Sequence, residues 1–172
     1  FPRLMRGPLQ EFSGGDFLEG RVRYHTTTVR GFLSSTSKSY DLIQLPIQGD
    51  SGGAAICASA AHRLADQEGV SLDRQVLIYP SLDYSMSSNS VQNLGSGYLL
   101  ERDRMAWYFD QYLQHDEDRR QVSPLFMDLP RRYPKTLVVT AGYCPLRDEG
   151  ITYVKRLQGA GIAAENLHYP GM

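Results

Sequence analysis

Apolar residues recur along this chain in two different rhythms. Short apolar-rich runs at residues 41–48, 75–79 and 135–141 have the length and composition of buried strands. Between them lie stretches with a helical period. In residues 98–115, Met105, Phe109 and Tyr112 or Leu113 share one face, while Arg102, Asp103, Asp110 and Gln111 occupy the rest. Residues 148–158 read as a further helix, closed by Gly159-Ala160-Gly161, and residues 163–169 as a last short strand. The stretch 52–68 has small residues on almost every side (Ala54, Ala55, Ala58, Ala60, Ala61), with Ile56 and Leu64 its large apolar groups. It predicts a helix able to approach a sheet closely, with Gly69 as its stop. Strands alternating with helices of these lengths predict an α/β fold, a mostly parallel sheet flanked by helices.

Other segments carry less pattern. Residues 1–40 form an unassigned N-terminal segment ahead of an α/β core segment, 41–172. Within the first, Gly7-Pro8 and Gly14-Gly15-Asp16 are turn signals, residues 21–30 are β-branched enough for a strand, and residues 34–39 are a polar loop. Pro46 interrupts the run 41–48. Proline cannot donate to a ladder, which conflicts with a central place for that strand. Residues 83–97 read as a long serine- and asparagine-rich loop of the kind that carries function, and residues 116–120 as a solvated charged turn.

Composition narrows the function classes. The 172 residues suit one domain, and 41% hydrophobic with 22% charged residues is ordinary for a globular protein. A net charge of -1 gives no electrostatic reason to expect nucleic acid or an acidic membrane as partner. No apolar run reaches the length of a membrane span, and no signal peptide opens the chain. Cys57 and Cys144 make no disulfide framework. Cys57 reads as a small buried hydrophobe, which is compatible with a reducing compartment such as the cytoplasm without requiring one. The chain opens on Phe1 and stops at Gly171-Met172, and the expectation is a segment of a longer protein.

The chemistry concentrates at Gly49-Asp50-Ser51-Gly52-Gly53, between the apolar run 41–48 and the alanine-rich helix. A G-x-S-x-G turn in that setting holds its serine in a strained backbone conformation, and the flanking glycines let strand and helix pack closely. The helix N-terminus then directs unpaired N–H groups and its positive dipole end at an oxyanion forming beside Ser51. The same GDSGG letters surround the nucleophile of trypsin-like proteases. Those are all-β, whereas residues 54–68 are helical, and two lone cysteines do not make a secreted protease scaffold.

From residue 41 to 172 the sequence resembles the hormone-sensitive-lipase-like family of α/β hydrolases, the carboxylesterases with a GDSAGG motif. The matching stretches are GDSGG (49–53), QVLIYPSLD (75–83), GYLLERDRMAWYFDQYL (97–113), VSPLF (122–126) and LVVTAGYCPLRDEG (137–150), in the family's order and at roughly its spacing. The resemblance implies Ser51 as nucleophile and the Gly52 N–H as one oxyanion donor. It also implies small-molecule esters of short to medium acyl chains as substrates, cleaved through an acyl-enzyme with no metal or cofactor. Three departures stand out. The family's triad aspartate opens its DPLRDEG run, where this chain has Cys144. The family's HGGG oxyanion loop has no counterpart in residues 1–48, where Gly14-Gly15 lacks a preceding histidine. The family's histidine sits two residues beyond the glycine-methionine pair that is here Gly171-Met172.

Asp50 reads as a turn former. Of the histidines available as a general base, His62, on the helix that Ser51 leads, and His115 read as solvated, and His168 as an ordinary strand residue; His25 lies outside the resembling stretch 41–172 and stays open as a base. For the acid, Asp148 reads as a helix N-cap and Asp83 as a turn residue, each with the triad acid as its alternative. A thiol at 144 hydrogen-bonds too weakly to orient a histidine as a carboxylate does, and Arg147 is slight support for a reactive thiolate there. The leading expectation is a carboxylic-ester hydrolase, impaired in this chain. The alternative is a catalytically silent hydrolase-like protein that binds a small ligand or a partner in the same cleft.

Overall fold

A computed structural model describes residues 40–42, 50–68 and 72–172. The elements run β1 (Tyr40–Leu42), α1 (Asp50–Leu64), β2 (Leu72–Ile78), α2 (Asn89–Leu94), α3 (Arg102–Tyr112), β3 (Lys135–Ala141), α4 (Arg147–Gly159) and β4 (Ala164–Tyr169). The four strands form one parallel sheet in the order β1-β2-β3-β4. Val76 of β2 pairs with Leu137 of β3, and Thr140 of β3 with His168 of β4. The predicted α/β class with a parallel sheet is the observed one. Of the strand expected over 41–48, residues 41 and 42 lie in β1, and residues 43–48 lie outside the described residues. Pro46, the strand over 21–30, the loop over 34–39 and the stop at Gly69 lie outside the described residues.

β3 is the most buried strand: from Thr136 to Ala141 every residue is inside, as a strand covered on both faces must be. On one face, Leu77 and Val138 meet Ala54 and Ala58 of α1 and Tyr153, Val154 and Leu157 of α4. Alanines at 54 and 58 let the α1 backbone approach the sheet. Gly150 does the same for α4, because a Cβ there would sit 2.8 Å from Thr140 Cγ2 and 3.3 Å from Val138 Cγ1.

A second cluster covers another side of α1. Ala55 joins Tyr84, Val91, Met105, Phe109 and Leu146, with Cys144, Met86, Leu100 and Leu113 partly buried against it. The period predicted for 98–115 is therefore correct in its anchors, and Leu113 rather than the exposed Tyr112 completes the face. Residues 83–97 depart from expectation. They hold the short helix α2, whose Ser90 and Val91 are buried. Its stability comes from that packing rather than from helix propensity.

Candidate active site

Ser51 lies in the first turn of α1 and is half-buried. Its carbonyl accepts a hydrogen bond from the Ser81 N–H at 3.1 Å, three residues past the end of β2. That bond ties the start of α1 to the carboxyl end of the sheet, the edge at which open α/β sheets bind ligands. The first four N–H groups of a helix have no intrahelical acceptor. Gly52 contributes one of them, on an exposed residue where an added Cβ would meet no atom within 4 Å.

The loop from β3 into α4 carries the second family position. Cys144 stands three residues beyond the strand end, in the loop rather than on the strand. Its N–H donates to Ala141 O (3.2 Å), and its carbonyl accepts from Arg147 N–H (3.0 Å). Cys144 packs on the cluster containing Ala55, which shares a helix face with Ser51 four residues earlier. Burial pushes its thiol pKa up, while the Leu146 N–H and Arg147 oppose the rise. A protonated thiol is a poor nucleophile.

The same loop is fastened from three sides. Gly142 N–H donates to Tyr169 O (2.9 Å), and Tyr143 N–H to Met172 O (2.8 Å). Arg147 donates from Nη1 to Gly142 O (3.0 Å), and Ser90 from Oγ to Pro145 O (2.5 Å).

Asp148 does not cap α4, the role read from its sequence position. It falls inside the first turn, and the cap position is Leu146. A residue already in the helix points its carboxylate elsewhere. Asp148 accepts from Ser90 N–H (2.9 Å) and Arg147 Nε (2.7 Å), joining α2 to α4. Asp83 is buried, and its carboxylate is taken up locally. It accepts from the N–H and hydroxyl of Ser85 and, at 3.0 and 2.6 Å, from the N–H and hydroxyl of Ser87. This is the turn role, and it leaves the carboxylate little capacity to orient an imidazole.

The histidines are dispersed. His62 is not solvated, contrary to the reading from sequence. Its Nδ1–H donates to Asp128 O (3.0 Å), its Nε2 accepts from Tyr153 OH (3.1 Å), and Tyr153 in turn meets Tyr133 OH at 2.5 Å. A helix surface cannot reveal a partner so distant in sequence. His62 lies eleven residues along α1 from Ser51, about 16 Å away. His115 is exposed, and His168 is bonded through Nδ1 to Thr140 Oγ1 at 2.9 Å. His25 lies outside the described residues. Among the described residues no three His, Cys, Asp or Glu side chains are grouped to hold a metal ion, and no described helix is long and apolar enough to cross a membrane.

Two groups near Ser51 went unnoticed in the sequence, Glu149 and Ser81. Glu149 is 1% exposed and accepts from Leu82 N–H at 2.9 Å. Burial, with the Asp83 carboxylate nearby, raises its pKa well above the ordinary carboxyl range. A Glu beside Asp in the first turn of a helix reads from sequence as a solvated dipole partner, so nothing in the pattern marks it as buried.

Comparison with known proteins agrees with this geometry. The family described as having the alpha/beta hydrolase fold matches residues 21–172. An ethyl acetate hydrolase of Pseudomonas putida is 36% identical over 135 residues, covering 77% of this chain and 42% of its own length. The gibberellin receptor GID1A of Arabidopsis thaliana is 29% identical over 157 residues, covering 87% of this chain and 44% of its own. Among solved structures, a hyperthermophilic esterase from Pyrobaculum calidifontis superposes with a TM-score of 0.65 at 36% identity, over 72% of this chain and 42% of that one. The chain thus spans about two fifths of the length of these relatives. It belongs to the hormone-sensitive-lipase-like carboxylesterase family of α/β hydrolases.

Proposed function

We propose that this chain carries the nucleophile half of a carboxylic-ester hydrolase. Ser51 attacks the ester carbonyl, the Gly52 N–H stabilises the oxyanion, and an acyl-enzyme on Ser51 is the intermediate. The observation that carries this reading is the placement of Ser51 in the first turn of α1, bonded through its carbonyl to Ser81 at the carboxyl edge of the sheet. Small esters of short to medium acyl chains are the substrates, in keeping with the ethyl acetate hydrolase among the relatives. The chain as it stands is an impaired catalyst: its described histidines are engaged elsewhere or exposed, and the family's acid position is Cys144. Triad losses of this kind cost roughly four to six decades of turnover. The test is p-nitrophenyl acetate hydrolysis by the chain and by Ser51→Ala. Slow turnover that disappears in Ser51→Ala is expected; turnover indifferent to Ser51→Ala refutes the assignment.

Cys144 and the receptor among the relatives favour a second reading, a hydrolase-like protein that binds a ligand without cleaving it. Complete absence of Ser51-dependent turnover, with saturable binding of a non-cleavable ester analogue, would select it.

A further inference from the structure

We propose that Glu149 is a positioning residue for Ser51, bracing from behind the segment that receives the Ser51 carbonyl. The connection is short. Glu149 Oε1 accepts the Leu82 N–H at 2.9 Å, and the neighbouring Ser81 N–H donates to Ser51 O at 3.1 Å. Three pieces of the fold meet there: the first turn of α4, the segment just past β2 and the first turn of α1. Glu149 is 1% exposed, and the second oxygen of its carboxyl group, Oε2, is buried with no hydrogen-bond partner among the described residues, as is Ser81 Oγ. An ionised carboxylate left in that state would be strongly disfavoured, whereas a carboxylic acid carries no net charge to desolvate. The buried Asp83 carboxylate beside it acts in the same direction. Glu149 therefore works as a neutral hydrogen-bonding strut, not as a charge.

That chemistry makes a specific demand on substitutions. Glutamine keeps the Oε1 acceptor, the shape and the absence of charge; leucine keeps volume and loses the acceptor. The inference rests on the Ser51 reading for its functional meaning, so the primary readout is independent of catalysis: hydrogen exchange at the Ser81 and Leu82 amides in the whole 172-residue chain. Glu149→Gln should retain the protection of both amides. Glu149→Leu should speed both by about tenfold or more, the loss expected for one unmade buried hydrogen bond, while Val138 in the sheet stays protected. Labelling of Ser51 by a fluorophosphonate, followed by mass spectrometry, should keep its rate in Glu149→Gln and slow in Glu149→Leu. A C=O stretch of a protonated carboxyl, present in the infrared spectrum of the parent at pH 7 and absent in Glu149→Gln, is the spectroscopic signature. If Glu149→Leu does not fold, Glu149→Gln decides alone: lost protection at Ser81, or no change in the infrared band, overturns the proposal. Unchanged Ser81 exchange in a folded Glu149→Leu also overturns it. A parent that takes no label at Ser51 counts against the nucleophile reading, and the amide exchange still judges Glu149.

Discussion

Replacing Gly142 by alanine tests how the loop bearing Cys144 is held. A Cβ at 142 would lie 2.1 Å from Pro170 O and 2.7 Å from Pro170 C, far inside contact distance and against backbone, not a flexible side-chain tip. Something must therefore move. The end of β3 is locked by its pairing with β4 through Ala141 and Tyr169, so residues 170–172 are the piece that swings away. The two bonds it strains are Gly142 N–H to Tyr169 O and Tyr143 N–H to Met172 O. Each is worth a net ~1 kcal/mol where water can replace the partner. Their sum falls within the 1–3 kcal/mol that overpacking costs. A loss of about 2 kcal/mol lowers Tm by roughly 4–8 °C in a domain of this size. Thermal unfolding by circular dichroism measures the shift, and hydrogen exchange at the Tyr143 amide locates it. Gly159→Ala is the control, since an added Cβ there meets nothing within 4 Å, and it should melt no lower than the parent. If Gly142→Ala melts with the parent and keeps the Tyr143 amide protected, the clasp described here does not hold the loop.

Two further outcomes are expected. In a longer form of the chain with a histidine two residues after Met172, Cys144→Asp should raise ester turnover by several decades, on the order of 10⁴ for restoring a triad acid; no gain in an active protein would remove position 144 from the acid role. His62 has its pKa lowered from 6.5, first by burial and secondarily by Arg156, with the Asp128 carbonyl opposing. The unfolded chain therefore binds the proton more readily, and the His62 contribution is present above pH 6.5 and lost as pH falls through 6.5 toward the folded value. Denaturant titrations from pH 7.5 to 5 should show a steeper loss of stability in the parent than in His62→Gln; parallel profiles would refute the buried neutral imidazole.

What the sequence made legible was whatever depends on local pattern. Residues 135–141 were expected as a strand and are β3 to the residue, because seven residues with a continuous apolar stretch leave few alternatives. β2 begins three residues earlier than the run 75–79 suggested: Leu72, Asp73 and Arg74 are carried into the sheet by pairing with neighbours, such as Arg74 opposite Lys135. Asn89–Leu94 looked like loop because asparagine and serine compete for the backbone in isolation; burial of Ser90 and Val91 overrides that preference. The partners of His62 lie 66 and 91 residues away in sequence, and the partner of Glu149 lies 67 away. No window of local periodicity contains them. The start of α1 at Ser51 was legible for the opposite reason, since the serine, the glycines after it and the alanine-rich helix are contiguous.

The acid is where the two functional readings part, and packing narrows it. Of the carboxylates around the Ser51 edge, Asp83 already accepts four hydrogen bonds from its own turn, and Asp148 is divided between Ser90 and Arg147. Glu149 faces inward and is buried, its carboxyl pKa raised by that burial. Each is held by a local task, and freeing Glu149 or Asp148 to orient an imidazole would leave the N–H of buried Leu82 or Ser90 unpaired at about 1–3 kcal/mol. The Cys144 side chain has lighter duty: it packs against the cluster around Ala55 and meets the Leu146 N–H, while its backbone makes the loop bonds. Among these four described positions it is the one that commits no carboxylate to a hydrogen bond. Cysteine there keeps the packing and forgoes the charge. On the proposed reading the fold of the family is kept while its acid position holds a thiol, and Cys144→Asp is the substitution that asks whether that position separates a hydrolase from a binding protein.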